Sequence, residues 1–361
     1  MSLLQHKPDW ERSKARFEAF WHREVLDRPL VQAFSRRNNP LSSQSTPSEP
    51  ESLDQFWLDA DYRIDAFEAN AARTHYGGDA FPIFETYIGP GSLALYLGSE
   101  PRFAEDTVWN EPSVDSLADS ALPVYDATNE TWLASYQMCR RGVERLRGKA
   151  IVSIPDLIEG LDTLASLRGT QELLFDLVEH PQAIHKWQRA LVELYFGYYD
   201  RIYDVVKDDS GGSCASCFFL WAPGRMAKLQ CDVSAMVSPA MFDEFAAPYL
   251  DEQSKRLDYV LYHLDGPHAL QHVDTLLSLP QIDAVQWVPD PGDKHGGEEW
   301  MPLFRRIRGA GKSLHVINTS AEDAERIVRE LGPEGLCFCI WVDTEQDADD
   351  LVRYSASWKK G

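Results

Sequence analysis

The sequence predicts an α/β protein, a (β/α)8 TIM barrel with an N-terminal helical extension. Short apolar runs alternate with segments of helical period along most of the chain, the pattern of a parallel sheet wrapped by helices. One stretch, 258–291, shows a complete strand–helix–strand unit with polar residues at both strand ends. A length of 361 residues, 44% of them hydrophobic, suffices to bury one large core. The expected division is an N-terminal helical extension at 1–75, carrying a flexible loop at 38–54, and a barrel at 76–361.

Taken in order, Trp10, Phe17, Phe20, Trp21 and Val25 recur at helical intervals, so an amphipathic helix at 9–26 is predicted to cap the fold ahead of a first strand at 29–34. The Ser- and Pro-rich run after it is too polar to pack and reads as a surface loop. A helix at 53–73 and a strand at 80–87 follow, then irregular structure at 101–124. Next come a helix at 131–147, a strand at 150–154 and long helices to 206. A strand at 213–221, a further strand or loop at 229–233 and a helix opened by Ser238-Pro239 lead to the strand–helix–strand unit. There 259–264 reads as a strand buried on both faces. Pro267 opens a helix marked by Leu270, Val273, Leu276 and Leu277, and 282–288 is the next strand. Helices at 300–308 and 321–331 and strands at 313–317 and 336–341 complete the series.

A formal net charge of −22, from 57 acidic against 35 basic residues, repels phosphate backbones and anionic membrane surfaces, so neither is an expected partner. The first ten residues lack a signal-peptide core, and no run approaches the roughly 18 apolar residues of a membrane span. A cytoplasmic location is the expectation. Six cysteines without a regular framework read as thiols or ligands rather than disulfides.

Two motifs fail on inspection. The run Gly309 to Ser313 resembles the end of a phosphate-binding loop, but Arg306 stands where the first glycine is needed and the run enters a strand. His268 and His272 have zinc-protease spacing, but Ala269 occupies the catalytic glutamate position. Cys214 and Cys217 with Cys337 and Cys339 suggest a four-thiolate site. Strand alternation points the first two to opposite faces, and core thiols are the better reading.

The same alternation sets His263 and Asp265 on one face at the C-terminal end of their strand, the end at which α/β folds bind ligands. Together with Cys339 they supply three zinc-ligand types and leave a fourth position open, as in catalytic zinc sites. The His-x-Asp pair also reads as an imidazole positioned for proton transfer. Asp232 is a candidate acid or base. Gln286, Trp287, Asn318, Tyr262, Trp221, Glu85 and Trp341 are candidate pocket residues, and Arg36-Arg37 could grip a carboxylate.

Four segments carry a resemblance: FWHREVLDRPL at 20–30, IPDLIEGLDTLASLRGTQELLFDLVEHP at 154–181, QCDVSAMVSPAMFDEFAAPYL at 230–250 and YHLDGP at 262–267. The chain resembles the uroporphyrinogen decarboxylase superfamily, which includes zinc-dependent, corrinoid-linked methyltransferases. The resemblance implies a barrel enzyme with its site at the C-terminal mouth. In the methyltransferase branch zinc is bound by a His-x-Cys pair and a later cysteine. His263 matches the histidine, Asp265 replaces the first cysteine, and Cys339 or Cys337 matches the second. The decarboxylase branch carries an arginine-rich segment and a catalytic aspartate, where this chain has Arg36-Arg37 and Glu85-Thr86. The implied function is a zinc-dependent methyltransferase acting on a small molecule or a corrinoid protein. The alternatives are a cofactor-free decarboxylase (a lyase) of an anionic, porphyrinogen-like substrate and a non-catalytic small-molecule-binding barrel.

Overall fold

Runs such as Leu336–Trp341, apolar at nearly every position, become strands because both of their faces meet apolar neighbours. The computed structural model describes residues 4–41 and 46–361, so residues 42–45 of the predicted loop lie outside the described residues. In chain order the strands are β1 Leu30–Arg36, β2 Thr74–Gly78, β3 Ile83–Phe84, β4 Glu100–Phe103, β5 Val108–Glu111, β6 Ile151–Val152 and β7 Ser213–Cys214. They continue as β8 Trp221–Ala222, β9 Met226–Gln230, β10 Tyr259–Asp265, β11 Ala284–Val288, β12 Ser313–Val316 and β13 Leu336–Trp341.

The central sheet runs β2-β1-β13-β12-β11-β10-β9. Its neighbours are parallel except β2, which lies antiparallel to β1. The expected division near residue 76 therefore falls inside a strand already paired with β1. Elsewhere β3 pairs with β6, and a single parallel bridge, Ile154 to Ala215, extends from there toward β7. The architecture is α/β with a mostly parallel sheet and helices between its strands.

Alternation along the strands sorts the side chains into two layers. Tyr262, Leu264, Val285 and Trp287 pack toward the helices, whereas Leu261, Ala284, Cys337 and Cys339 pack on the opposite, inward face. Helix α1, Trp10–Trp21, joins the inward layer through Trp10, Phe17, Phe20 and Trp21. Trp21 donates its indole N–H to the Trp221 carbonyl at 2.9 Å, and the Ser313 hydroxyl reaches the Phe20 carbonyl at 2.6 Å. These contacts fall at the starts of strands, so α1 plugs their N-terminal end, as a capping helix should, and the C-terminal ends stay open.

Several boundaries differ from the sequence reading for local reasons. The helix expected at 53–73 breaks at Asp59, whose carboxylate caps the second half at Tyr62 N, 2.9 Å away. The strand expected at 213–221 is an antiparallel hairpin, β7 and β8, joined by a segment in which Cys217 and Phe219 both adopt positive φ. Residues 101–124, read as irregular, hold all but the first residue of the β4–β5 hairpin. The helix after Pro267 begins as a 3-10 turn, Pro267–His272, before Val273–Ser278.

Candidate functional site

Strand register brings a polar row across the inward face. Gln230, His263, Gln286, His315 and Cys337 are consecutive partners across β9 to β13. His263 Nδ1 faces Gln286 Oε1 within hydrogen-bonding distance. The amide is oriented by its own N–H, which donates to the Trp287 carbonyl at 3.2 Å. An acceptor oxygen opposite Nδ1 means that Nδ1 carries the proton, leaving the Nε2 lone pair free. Burial, then the Lys228 charge, lower the His263 pKa and favour this neutral form.

Two residues further along β10, at the open end, stands Asp265. Ligand atoms of Asp232, His263 and Asp265 all lie within 4.8 Å of one another, the metal-capable group found among the described residues. Asp232 is held by Gln230, whose side-chain amide donates to its carboxylate at 2.7 Å and to Asp162 at 3.1 Å. Desolvation under neighbouring side chains, then the Asp162 charge, push the Asp232 carboxyl up to about 7, although much of the residue remains open to solvent.

Beneath this group lies an ion pair that sequence reasoning missed. Lys228, buried in β9, places Nζ 2.6 Å from Asp156 and also bonds Gln230 Oε1. Burial opposes its charge, but Asp156 and Glu159 outweigh it and raise the lysine pKa. The signal was a lysine between apolar neighbours in the strand MAKLQ. His295 was also missed. Burial lowers its pKa, opposed by the nearby Asp265 carboxylate.

The predicted residues do not all converge. Tyr262 and Trp287 are buried on the helix side of their strands, Trp287 against Trp300 with ring centres 4.9 Å apart. This corrects their assignment to the pocket: each stands one residue from an inward position, on the face that alternation turns away. Trp221 packs at the opposite end, between Trp10 and Phe17, and bonds Asp208 at 3.1 Å. Cys339 is fully buried on β13 in the layer of Cys337 and falls outside the Asp232–His263–Asp265 group. The 217–220 segment packs onto that layer, because His315 Nε2 donates to the Phe218 carbonyl at 2.9 Å and Gln32 to that of Phe219 at 2.8 Å. Asn318, in the left-handed region at φ 56°, follows β12 at the open end.

Glu85 and Trp341 line a separate cleft of about 580 Å³, with Arg36, Arg63, Phe34 and Phe219. Glu85 accepts the Cys217 N–H at 2.8 Å, and burial raises its pKa. Arg37, the other half of the predicted arginine pair, instead bonds the Thr74 carbonyl at 3.0 Å and Glu345 at 3.3 Å.

No family model and no curated protein sequence matches the chain. In three dimensions it is similar to a methyltransferase from Methanosarcina mazei, with a TM-score of 0.57 over 95% of this chain and 98% of that one at 10% identity. The likeness is one of fold. A B12-independent methionine synthase from a Shewanella species, solved with selenomethionine, gives a TM-score of 0.47 over 92% of this chain and 96% of that one at 9% identity. The α/β architecture implied by the sequence resemblance is the one the methanogen methyltransferase shares. Among the described residues no helix is long and apolar enough to cross a membrane.

Proposed function

We propose that the protein is a (β/α)8-barrel enzyme of the uroporphyrinogen decarboxylase-like kind, a metal-dependent methyltransferase acting on a small molecule with a methyl-carrying corrinoid as donor. The observation that carries the reading is the convergence of Asp232, His263 and Asp265 at the open strand ends. The donor set fits a divalent cation: one neutral imidazole nitrogen is free, and two carboxylates stand beside it. Zinc or another divalent cation held by these residues supplies a Lewis acid that lowers the pKa of a substrate thiol. Replacement of thiolate ligands by carboxylates makes the set harder than a His-Cys-Cys site, which widens the range of cations it accepts.

The chain's own groups have distinct tasks. Gln286 fixes the tautomer of His263 and aims Nε2. Asp232, with its carboxyl near 7, exchanges a proton at neutral pH, either losing one to solvent when a cation binds or taking one from substrate. Lys228 and Asp156 keep a charged pair under the site without offering a further free ligand.

The test is methyl transfer from methylcobalamin to 2-mercaptoethanol, followed by the corrinoid spectrum, with zinc-loaded protein and with His263→Ala. The reading predicts zinc-dependent demethylation, absent in the variant while its circular dichroism is unchanged. Equal rates in the variant, or no metal uptake when zinc is supplied, would return His263 and Asp232 to an acid–base role.

A further inference from the structure

The cleft beside Glu85 is unlike the rest of this acidic molecule. Its volume of about 580 Å³ lies in the range of small-molecule sites. One wall is aromatic: Trp341, 47% exposed, stacks on Phe34 with ring centres 5.1 Å apart and planes inclined by 16°. Phe219 meets Trp341 edge-on at 5.8 Å. A half-open tryptophan backed by two further rings offers a flat apolar surface to whatever enters.

Two guanidinium groups line the same cleft, in a chain whose net charge is −22. Arg63 donates to three backbone carbonyls, those of Glu85 at 2.9 Å, Tyr87 at 2.6 Å and Trp57 at 3.4 Å. These acceptors are neutral, and among the described residues neither Arg63 nor Arg36 forms an ion pair. Burial lowers the Arg63 pKa against the opposing influence of Tyr87, Glu85 and Cys217, and burial raises the pKa of all three of these groups, favouring their neutral forms. A partly enclosed guanidinium without a carboxylate partner is matched by the bidentate geometry of a ligand carboxylate.

The cleft also connects to the metal-capable group through three consecutive residues. Cys217 bonds Glu85, the Phe218 ring meets the His263 ring at 5.3 Å, and Phe219 faces the cleft. Positive φ at Cys217 and Phe219 lets neighbouring side chains reach different surroundings, a conformation unusual for bulky residues and concentrated at functional sites.

We infer that this cleft binds the non-reacting part of the substrate, a flat aromatic carboxylic acid, with its ring on Trp341 and its carboxylate at Arg63 and Arg36. This names the substrate class for the site proposed above and rests on that reading only for what happens after binding.

The experiment is calorimetric titration of the metal-free protein with 2-naphthoate, its neutral amide 2-naphthamide, and cyclohexanecarboxylate. Naphthoate should bind at least tenfold more tightly than either of the others. Trp341→Ala and Arg36→Gln, both at exposed positions, should each weaken it tenfold or more. Arg63→Gln is a harsher variant because Arg63 also ties three carbonyls, so the inference stands on the first two. Equal binding of naphthoate and naphthamide, or unchanged affinity in Trp341→Ala, overturns it. His263→Ala should bind naphthoate as the unsubstituted protein does, so loss of metal-dependent turnover and loss of this binding are separate results.

Discussion

Two arcs of the molecule are held by different means. From β9 through β13 to β1, neighbouring strands share continuous parallel ladders, and the metal-capable residues stand on their ends. From β3 through β6 to β7, the strands are two residues long, and much of the joining falls to side chains. Thr86 donates to the Ser153 carbonyl at 2.8 Å, and the Ser153 and Ser216 hydroxyls meet at 2.6 Å. Asp79, fully buried just after β2, takes Arg16 at 3.0 Å, Arg28 at 2.5 Å and Val31 N at 3.2 Å. Gly78 before it is at φ 63°, where a Cβ would stand 2.3 Å from the Val31 carbonyl, so the chain turns there only with glycine. The ladders give fixed positions suited to metal ligands. The broken arc gives the irregular space that forms the cleft.

The largest loss should follow Asp79→Ala, in the segment that leads from the ladder arc into the broken one. It leaves Arg16 and Arg28 without their shared buried partner and should cost about 3–5 kcal/mol in urea unfolding. A cost below about 1 kcal/mol would show that the junction of the two arcs does not depend on this ion cluster. In the ladder arc, Gln286→Ala should leave the fold intact but lower zinc affinity roughly 10- to 100-fold, because His263 loses the acceptor that fixes its tautomer. Unchanged affinity would mean that Nε2 is not the ligand atom.

The pH dependence sharpens the same contrast. Burial holds the Asp232 carboxyl up to about 7 in the fold against an ordinary value of 3.8, so the folded state binds more protons between those values. Stability of the metal-free protein should therefore fall as pH rises through that window. Asp232→Asn should flatten part of the slope in thermal melts at pH 5 to 8, and an unchanged slope would assign it to Glu159 and Asp162, whose carboxyls burial also raises. The smallest effect is expected for Ser153→Ala, about 1–2 kcal/mol from the hydroxyl bonds it breaks in the broken arc.

The same division explains what was legible in the sequence. Strands with long apolar runs and punctuated ends, such as β10 and β13, could be placed almost to the residue, and alternation put His263 and Asp265 on one face. Alternation applied consistently would also have turned Tyr262 and Trp287 outward. The short strands β3, β6 and β7 carry too few residues to show a period, so the hairpin at 213–222 read as one strand. Asp232 as a third metal-capable residue required knowing that the turn after β9 lies beside the end of β10, a neighbourhood that no spacing encodes. Cys339 has the right chemistry and the inward face, but it stands two residues short of its strand end and outside the Asp232–His263–Asp265 group.

The most direct test of the central claim is a zinc titration of metal-stripped protein at pH 6 and pH 8, with His263→Ala and Cys339→Ala alongside. The account predicts about one site per chain, tighter at pH 8 as Asp232 loses its proton, lost in His263→Ala and retained in Cys339→Ala. Binding that survives His263→Ala, or that disappears in Cys339→Ala while the fold persists, would contradict it.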